Sequence, residues 1–187
     1  LGKKEVFDAP VVGQIAAALG GIRVDRGTGS DEPLKAAAEA LENGDLVAMM
    51  PQGTIPRGAG FYDTVLRGRW GAARLAALTK APVIPIGLWG TEKVWPRSAR
   101  VPNMLNVVSP PQITVRVGSE VPLVHRSPDA DTKRIMKAIM DLLPAESRVA
   151  RIPTEDEIAL AMPPGHAAKA AAKAAAAAEA ARRPGSD

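Results

Sequence analysis

Arg26 is the first residue of the chain that has the chemistry of a binding site. It follows a short segment, Ile22–Val24, that the sequence predicts to be a strand. Open α/β sheets bind ligands at the carboxyl ends of their strands, and the planar guanidinium of arginine can hold a phosphate through two hydrogen bonds. Phosphate binding is therefore the functional interpretation of Arg26. The structural alternative is an ion pair with Asp25 or another acid.

A second group of polar residues lies in the loop that follows the apolar run Leu46–Met50. In this loop Gln52 can form hydrogen bonds, and Gly53 lets the backbone approach an anion closely. Thr54 adds a hydroxyl group, and Arg57 adds positive charge. The pattern predicts a phosphate-binding loop. For the loop alone, a structural turn is the simpler interpretation.

The residue types that are missing or rare restrict the chemistry further. The chain has no cysteine, which excludes disulfides, thiolate catalysis and thiolate metal sites. Its two histidines are far apart, which disfavours a histidine-rich metal site. No metal and no cofactor are predicted. A general-base histidine with an aspartate five residues later is also absent, because Ala130 follows His125 and Ala171 follows His166 at that distance. For His125 a surface or capping role is predicted.

Positive charge is concentrated between residues 50 and 100. This stretch contains eight basic and two acidic residues, a local excess of +6 in a chain of 187 residues with a net charge of +4. The basic residues are Arg57, Arg67, Arg69, Arg74, Lys80, Lys93, Arg97 and Arg100. Such an excess favours an anionic partner, which could be a phosphorylated substrate, an anionic membrane surface or a nucleic acid. For charge alone, a solvated basic face is the commoner outcome.

The apolar patterns indicate an α/β fold with a mostly parallel central sheet flanked by helices. The predicted strands are Ile22–Val24, Leu46–Met50, Val83–Leu88 and Gln112–Val117, and the predicted helices are Val11–Leu19, the segment between Ser30 and Gly44, Trp70–Leu78 and Thr132–Leu143. In the last strand, Ile113, Val115 and Val117 are expected to face inward. The longest apolar stretch, Val11–Ile22, is too short and too interrupted to cross a bilayer.

Three segments occur together in an order that one enzyme family uses. They are residues 20–26 (GGIRVDR), 50–57 (MPQGTIPR) and 81–86 (APVIPI). Each is a weak signal alone. Together they resemble the second, third and fourth conserved blocks of the lysophosphatidic acid acyltransferase (1-acylglycerol-3-phosphate O-acyltransferase) family. The resemblance covers about Lys3 to Pro122 and implies a glycerophosphate acyltransferase-like fold.

The resemblance also implies roles for seven residues. Those expected to bind the acceptor's phosphate are Arg26, Gln52, Gly53, Thr54 and Arg57, and those expected to shape the pocket are Pro82 and Pro85. No catalytic residue is expected within this chain. The family's first block, His-x4-Asp, supplies the general base and the aspartate that orients it. We expect this block upstream of Leu1, so that the chain is an inactive fragment truncated at its N-terminus.

Two positions depart from the family pattern. Gln52 stands where the family has glutamate, which keeps hydrogen bonding but removes a negative charge. Ile55 stands where arginine is usual, so Arg57 would be the remaining basic group of the loop. A phosphate-binding loop stays consistent with both changes, and the identity of the acceptor stays open.

For the intact protein, the resemblance implies transfer of a fatty acyl group in phospholipid synthesis. The donor would be acyl-CoA or acyl-carrier protein, and the acceptor a lysophospholipid resembling 1-acylglycerol-3-phosphate, with phosphatidic acid as the product. The protein would be peripheral, on the anionic cytoplasmic face of the cell membrane. Residues 1–150 are predicted to form the acyltransferase domain lacking its N-terminal part. Residues 151–187 are predicted to be a linker and an Ala/Lys-rich tail, disordered or a fluctuating helix.

Two other functions fit parts of the sequence. A non-catalytic lipid- or phosphate-binding relative at the membrane surface would account for the loss of the family glutamate at Gln52. A nucleic-acid-binding module would account for the basic charge. The second alternative is disfavoured, because aromatic residues make up only 3% of the chain and do not alternate with basic ones. No nucleic-acid partner is therefore predicted.

Overall fold

The structure is a computed structural model that describes residues 2–3, 7–8, 10, 12–18, 20–24, 31–99, 102 and 108–166. The chain divides into two compact units. Unit 1 comprises Leu1–Thr54, Val65–Gly87 and Arg116–Leu143, and unit 2 comprises Ile55–Thr64, Leu88–Val115 and Pro144–Asp187. Across the described ranges, no helix is long and apolar enough to span a membrane.

The helices and strands are short. In chain order, those of the described residues are β1 (Gly2–Lys3), α1 (Val12–Ala18), β2 (Arg23–Val24), α2 (Glu32–Glu42), a first 3₁₀ helix (Gly58–Tyr62), α3 (Gly71–Thr79), β3 (Ile86–Trp89), α4 (Thr91–Val94), β4 (Thr114–Val117), α5 (Pro128–Leu142), a second 3₁₀ helix (Ala145–Arg148) and α6 (Glu155–Leu160). In unit 1, β1 pairs in parallel with β2, with Gly2 opposite Arg23 and Lys3 opposite Val24. Helix α1 lies between these strands in sequence, as a parallel pair requires a crossover.

Helices α2 and α3 pack together in the first core cluster of unit 1. Ala37 and Ala38 of α2 are buried beside Leu75 of α3. The partly buried residues around them are Ile22, Leu34, Leu41, Val47 and Met49. Small side chains on α2 let the two helices approach closely, which buries the larger Leu75. Both helices are confirmed at the positions that the apolar periodicity predicts.

Helix α5 completes unit 1 with a second core cluster. Ile135 is buried there against Ala73 of α3. The helix begins four residues before the predicted start, because Ser127 caps it and Pro128 suits its first turn. The Ser127 hydroxyl accepts a hydrogen bond from the Ala130 N–H at 3.3 Å. Local capping chemistry therefore extends the helix beyond its apolar stripe.

Strands β3 and β4 pair antiparallel. The Gly118 N–H donates to the Pro85 carbonyl at 2.9 Å and the Val121 N–H to the Val83 carbonyl at 2.9 Å, so residue numbers fall along one segment as they rise along the other. The strands of the described residues thus form two separate two-stranded sheets, one parallel and one antiparallel. The mostly parallel central sheet expected from the sequence is not seen in this part of the chain.

Two predictions about strands are wrong. Leu46–Met50 is irregular rather than a buried strand, with Leu46 89% and Met50 74% exposed, while Val47 and Met49 pack against the cluster of α2 and α3. In β4 and the residue before it, Ile113, Val115 and Val117 are exposed rather than inward-facing, since no described element covers that side of the strand. Apolar alternation identified the strand but not the direction in which it faces.

Unit 2 contains α6, which begins with a reciprocal cap. The Glu157 N–H donates to the Thr154 hydroxyl at 3.3 Å, and the Thr154 N–H donates to the Glu157 carboxylate at 2.9 Å. The helix falls inside the region predicted to be a linker. The Ala/Lys-rich residues 167–187 lie outside the described residues, and the domain boundary near residue 150 stays a prediction.

Candidate functional site

The loop predicted to bind phosphate contains a tight turn in unit 1. The Gly53 N–H donates to the Met50 carbonyl at 3.0 Å, and Gly53 has a φ of +67°, in the left-handed region that favours glycine. A Cβ at this position would lie 2.7 Å from Cδ and 3.1 Å from Nε of Arg69. The backbone conformation therefore favours glycine, and a larger residue here would have to displace the flexible Arg69 side chain that crosses the turn.

Arg69 lies at this turn. It was included among the basic residues between positions 50 and 100, but this position was not predicted from the sequence. Its N–H donates to the Pro51 carbonyl at 2.8 Å, which joins the segment before α3 to the turn. The preceding residue, Gly68, is packed on α5: a Cβ there would lie 2.7 Å from the Thr132 and Met136 side chains. The Arg69 residue is exposed, and none of the ion pairs found among the described residues involves it. The sequence feature that could have indicated this contact is the glycine at residue 53, which leaves room for a neighbouring side chain.

Of the other predicted site residues of unit 1, Gln52 and Thr54 flank Gly53 in the sequence. Gln52 is half-buried, and Thr54, the last residue of this part of unit 1, is exposed. Pro85 is buried and its carbonyl accepts a hydrogen bond from Gly118, whereas Pro82 is exposed. Their predicted role in shaping a pocket stays a prediction. Arg26, the first residue expected to bind phosphate, lies outside the described residues.

Arg57 belongs to unit 2, where it precedes the first 3₁₀ helix and is exposed. Another arginine of unit 2, Arg97, is partly buried, and its Nε is buried without a hydrogen-bond partner among the described residues. Burial, and after it the positive charge of Arg57, lower the pKa of Arg97 below its usual value. The two guanidiniums are therefore close enough to repel each other.

Two other charged residues of unit 2, Arg151 and Glu157, form an ion pair with each other. Arg151 donates to both carboxylate oxygens of Glu157, at 2.7 and 2.8 Å, and its guanidinium carbon lies 4.9 Å from the centre of the Tyr62 ring. These hydrogen bonds from Arg151, with that from the Thr154 N–H, lower the pKa of Glu157 to about 2. The Tyr62 hydroxyl donates to the Glu157 backbone carbonyl at 3.0 Å. Because each charge has its partner, this network stabilises the fold and offers no free group to a ligand.

Asp131 is the buried carboxylate of unit 1, and its partners show why it cannot serve His125 as a catalytic aspartate. Its oxygens accept the N–H of Val124 at 3.1 Å, the backbone N–H of His125 at 2.7 Å and the Arg134 guanidinium at 2.7 Å. Burial raises the pKa of Asp131, but these hydrogen bonds outweigh burial and hold the pKa below its usual value. The carboxylate thus holds the backbone of His125, which has a φ of +60°, and does not orient the imidazole. Asp131 is accordingly a structural residue.

Comparison with known proteins identifies the class to which part of this chain is similar. Residues 1–89 match the family model described as Acyltransferase. The matched stretch includes the Gly53 turn and Arg69 and ends before Arg97. The described residues contain no group of three or more histidine, cysteine, aspartate or glutamate residues that could hold a metal ion.

Three curated proteins are similar to about half of this chain. Uncharacterized proteins from two strains of Mycobacterium tuberculosis and from Mycobacterium bovis are each 31% identical to it over 97 residues. The alignment covers 49% of this chain and 24% of each relative, so the chain spans about a quarter of the length of these curated relatives. No solved structure matches the chain.

Proposed function

We propose that the protein to which this chain belongs transfers a fatty acyl group from a thioester donor, acyl-CoA or acyl-carrier protein, to a 1-acylglycerol-3-phosphate-like acceptor. The observation that carries the proposal is the Arg69 side chain lying across the left-handed Gly53 turn. This contact puts an exposed positive charge beside the backbone of the loop that matches the acyltransferase model. A phosphate group on the acceptor is the anion that such a loop fits.

Within this proposal the loop binds and orients the acceptor. The Arg69 guanidinium neutralises the phosphate and donates hydrogen bonds to it, and the Gln52 amide and Thr54 hydroxyl are available to complete its binding. Arg26 keeps its predicted role as a further phosphate ligand. Fixing the phosphate holds the free hydroxyl of the acceptor at the donor, which lowers the entropic part of the barrier.

The proposed reaction is a balanced acyl transfer. A general base takes the proton of the acceptor hydroxyl, the oxygen forms a bond to the thioester carbonyl carbon, and the carbon–sulfur bond breaks. The sulfur leaves as a thiolate that takes up a proton. We assign the base to the histidine of the His-x4-Asp block predicted upstream of Leu1, so that the intact protein is active and this chain alone is not. The reaction would take place at the anionic cytoplasmic face of the membrane, to which the basic residues between positions 50 and 100 would be attracted.

The test replaces Arg69 in the protein at its natural length. Charge-assisted hydrogen bonds contribute roughly 1.5–3 kcal/mol, so Arg69→Gln is expected to lower acceptor kcat/KM about tenfold or more and to leave the donor KM nearly unchanged. Arg69→Lys should recover part of the loss, because lysine keeps the charge but not the planar fork. Arg67→Gln is the matched control, since Arg67 is also exposed but does not crowd Gly53.

Two results would overturn the proposal in different ways. If acceptor kcat/KM is unchanged in a well-folded Arg69→Gln protein, Arg69 does not bind the acceptor. If the unaltered protein shows no turnover but sediments with anionic vesicles and not with neutral ones, it is the non-catalytic lipid-binding relative that Gln52 also allows.

A further inference from the structure

Two neighbouring backbone hydrogen bonds bring the segments that carry Arg57 and Arg97 to one place in unit 2. The residue after Arg57 is Gly58, whose N–H donates to the Ala161 carbonyl at 3.4 Å. The residue after Arg97 is Ser98, whose N–H donates to the Leu160 carbonyl at 3.2 Å. Because Leu160 and Ala161 are consecutive, the two segments that carry the arginines meet at the same end of α6.

The fold itself does not account for two arginines at this place. Cations are favourable near the carboxyl end of a helix, but the two carbonyl groups at this end already accept the N–H groups of Gly58 and Ser98. No carboxylate of the described residues forms an ion pair with either arginine. The charge effects on the pKa of Arg97 agree, because they include that of Arg57 and no acid. Two like charges that lack a counterion oppose each other, and a bound anion would relieve the repulsion.

The Nε of Arg97 indicates what kind of anion fits. Its N–H is buried with no hydrogen-bond partner among the described residues, and a buried donor without a partner is rare in folded proteins. The Nε and one terminal nitrogen form the edge of the guanidinium that binds two oxygens of a phosphate at once. A second guanidinium from Arg57 supplies the charge that a dianion needs.

We propose that Arg97 and Arg57 together form a phosphate-binding site in unit 2, which binds a phosphomonoester group of a substrate. Arg57 was predicted to bind phosphate from its place in the loop, whereas Arg97 lies beyond the residues that match the acyltransferase model. That the phosphate belongs to a substrate rests on the proposed function, but the existence of the site does not. The test therefore measures binding and does not use turnover.

The experiment titrates the full chain with three probes by calorimetry: inorganic phosphate, glycerol 3-phosphate and adenosine 3′,5′-bisphosphate. Arg97→Gln and Arg57→Gln are each expected to weaken binding of the preferred probe about tenfold, and the double variant to abolish it. Arg148→Gln, which removes an exposed arginine of the same unit, should bind within twofold of the unaltered chain. Preference for glycerol 3-phosphate would assign the acceptor's phosphate to this site instead of the Arg69 loop, and preference for the adenosine probe assigns the site to a CoA donor. Equal binding of all three probes supports a site for phosphate without selectivity.

Melting temperature separates this role from a structural one. Without phosphate, Arg97→Gln removes the repulsion with Arg57 and should melt at the same temperature as the unaltered chain or higher. Phosphate should raise the melting temperature of the unaltered chain but not that of Arg97→Gln, and Arg97→Lys should keep part of the rise. Binding of no probe, or unchanged binding in Arg97→Gln, would refute the site. Binding with an inactive full-length protein would instead refute only the proposed acyl transfer.

Discussion

Asp131 in unit 1 is buried and Arg97 in unit 2 is partly buried, but the two differ in their hydrogen-bond partners. The carboxylate of Asp131 is 1% exposed and accepts three hydrogen bonds, one of them from a guanidinium. Arg97 has a buried Nε without a partner and a second arginine nearby. A charge that is matched inside the fold stabilises the fold, whereas an unmatched one is available to a ligand. Hydrogen-bond partners thus separate the structural charges of this protein from its candidate binding groups better than burial does.

The largest effect is expected from breaking the matched charge. Asp131→Ala leaves the part-buried N–H groups of Val124 and His125 without their acceptor and removes the partner of Arg134, and should lower the free energy of unfolding by about 3 kcal/mol. Urea denaturation measures this change. The control is Asp129→Ala in the same helix, whose carboxylate pairs with Lys133 at the surface and should contribute less than about 1 kcal/mol. Equal losses in the two variants would show that the partners of Asp131 do not stabilise the fold.

A smaller effect on stability, but a specific effect on function, is expected at the Gly53 turn. Gly53→Ala adds a Cβ in left-handed backbone and 2.7 Å from the Arg69 side chain, so we expect a loss of about 1–2 kcal/mol and a displaced guanidinium. Gly44→Ala is the matched control, because Gly44 has a φ of +87° but no atom within 4 Å of its Cβ position. Both variants should unfold at similar denaturant concentrations.

Kinetics of the full-length protein then separate the two glycines. Gly53→Ala should lower acceptor kcat/KM severalfold, and Gly44→Ala should not. If the two variants have the same kinetics, the contact between Gly53 and Arg69 has no part in acceptor binding, and Arg69 would join the solvated surface charges.

The smallest effect is expected from Glu157, a matched charge on the surface of unit 2. Its pKa is lowered from 4.5 to about 2 by Arg151 and Thr154. A carboxylate whose pKa is lower in the folded state stabilises the fold above its unfolded pKa, and loses this effect as pH falls through the folded pKa. The unaltered chain should therefore melt at a higher temperature than Glu157→Gln. The difference between the two melting temperatures should be constant above pH 5 and should shrink as the pH falls from 4.5 to 2. A difference that does not change over this range would mean that the ion pair with Arg151 does not form in solution.

The helices of this protein could be predicted from its sequence more completely than the strands. Helices α2 and α3 were predictable because their apolar spacing and the residues that begin and end them lie within a few positions of one another. The run Leu46–Met50 was wrongly predicted to be a strand. Strand formation depends on pairing with a neighbouring strand, and apolar residues such as Val47 and Met49 can pack against helices instead. For the same reason the apolar alternation of β4 identified an element but not the side of it that is covered.

The residues around the candidate site divide in the same way. By itself, the sequence determined that the loop after Met50 contains a glycine turn and that basic residues are concentrated in the middle of the chain, since turn chemistry and charge are properties of residue types and of their immediate neighbours. Only the tertiary structure decided that Arg69 crosses Gly53, 16 residues away, and that the segments carrying Arg57 and Arg97, 40 residues apart, meet at the end of α6. Such meetings depend on the packing of Gly68 against α5 and on the hydrogen bonds that attach two segments to the end of α6. The sequence alone does not distinguish one arginine from another, because the fold decides which of them have a carboxylate partner, as Arg134 and Arg151 do, and which, as with Arg97, have none among the described residues.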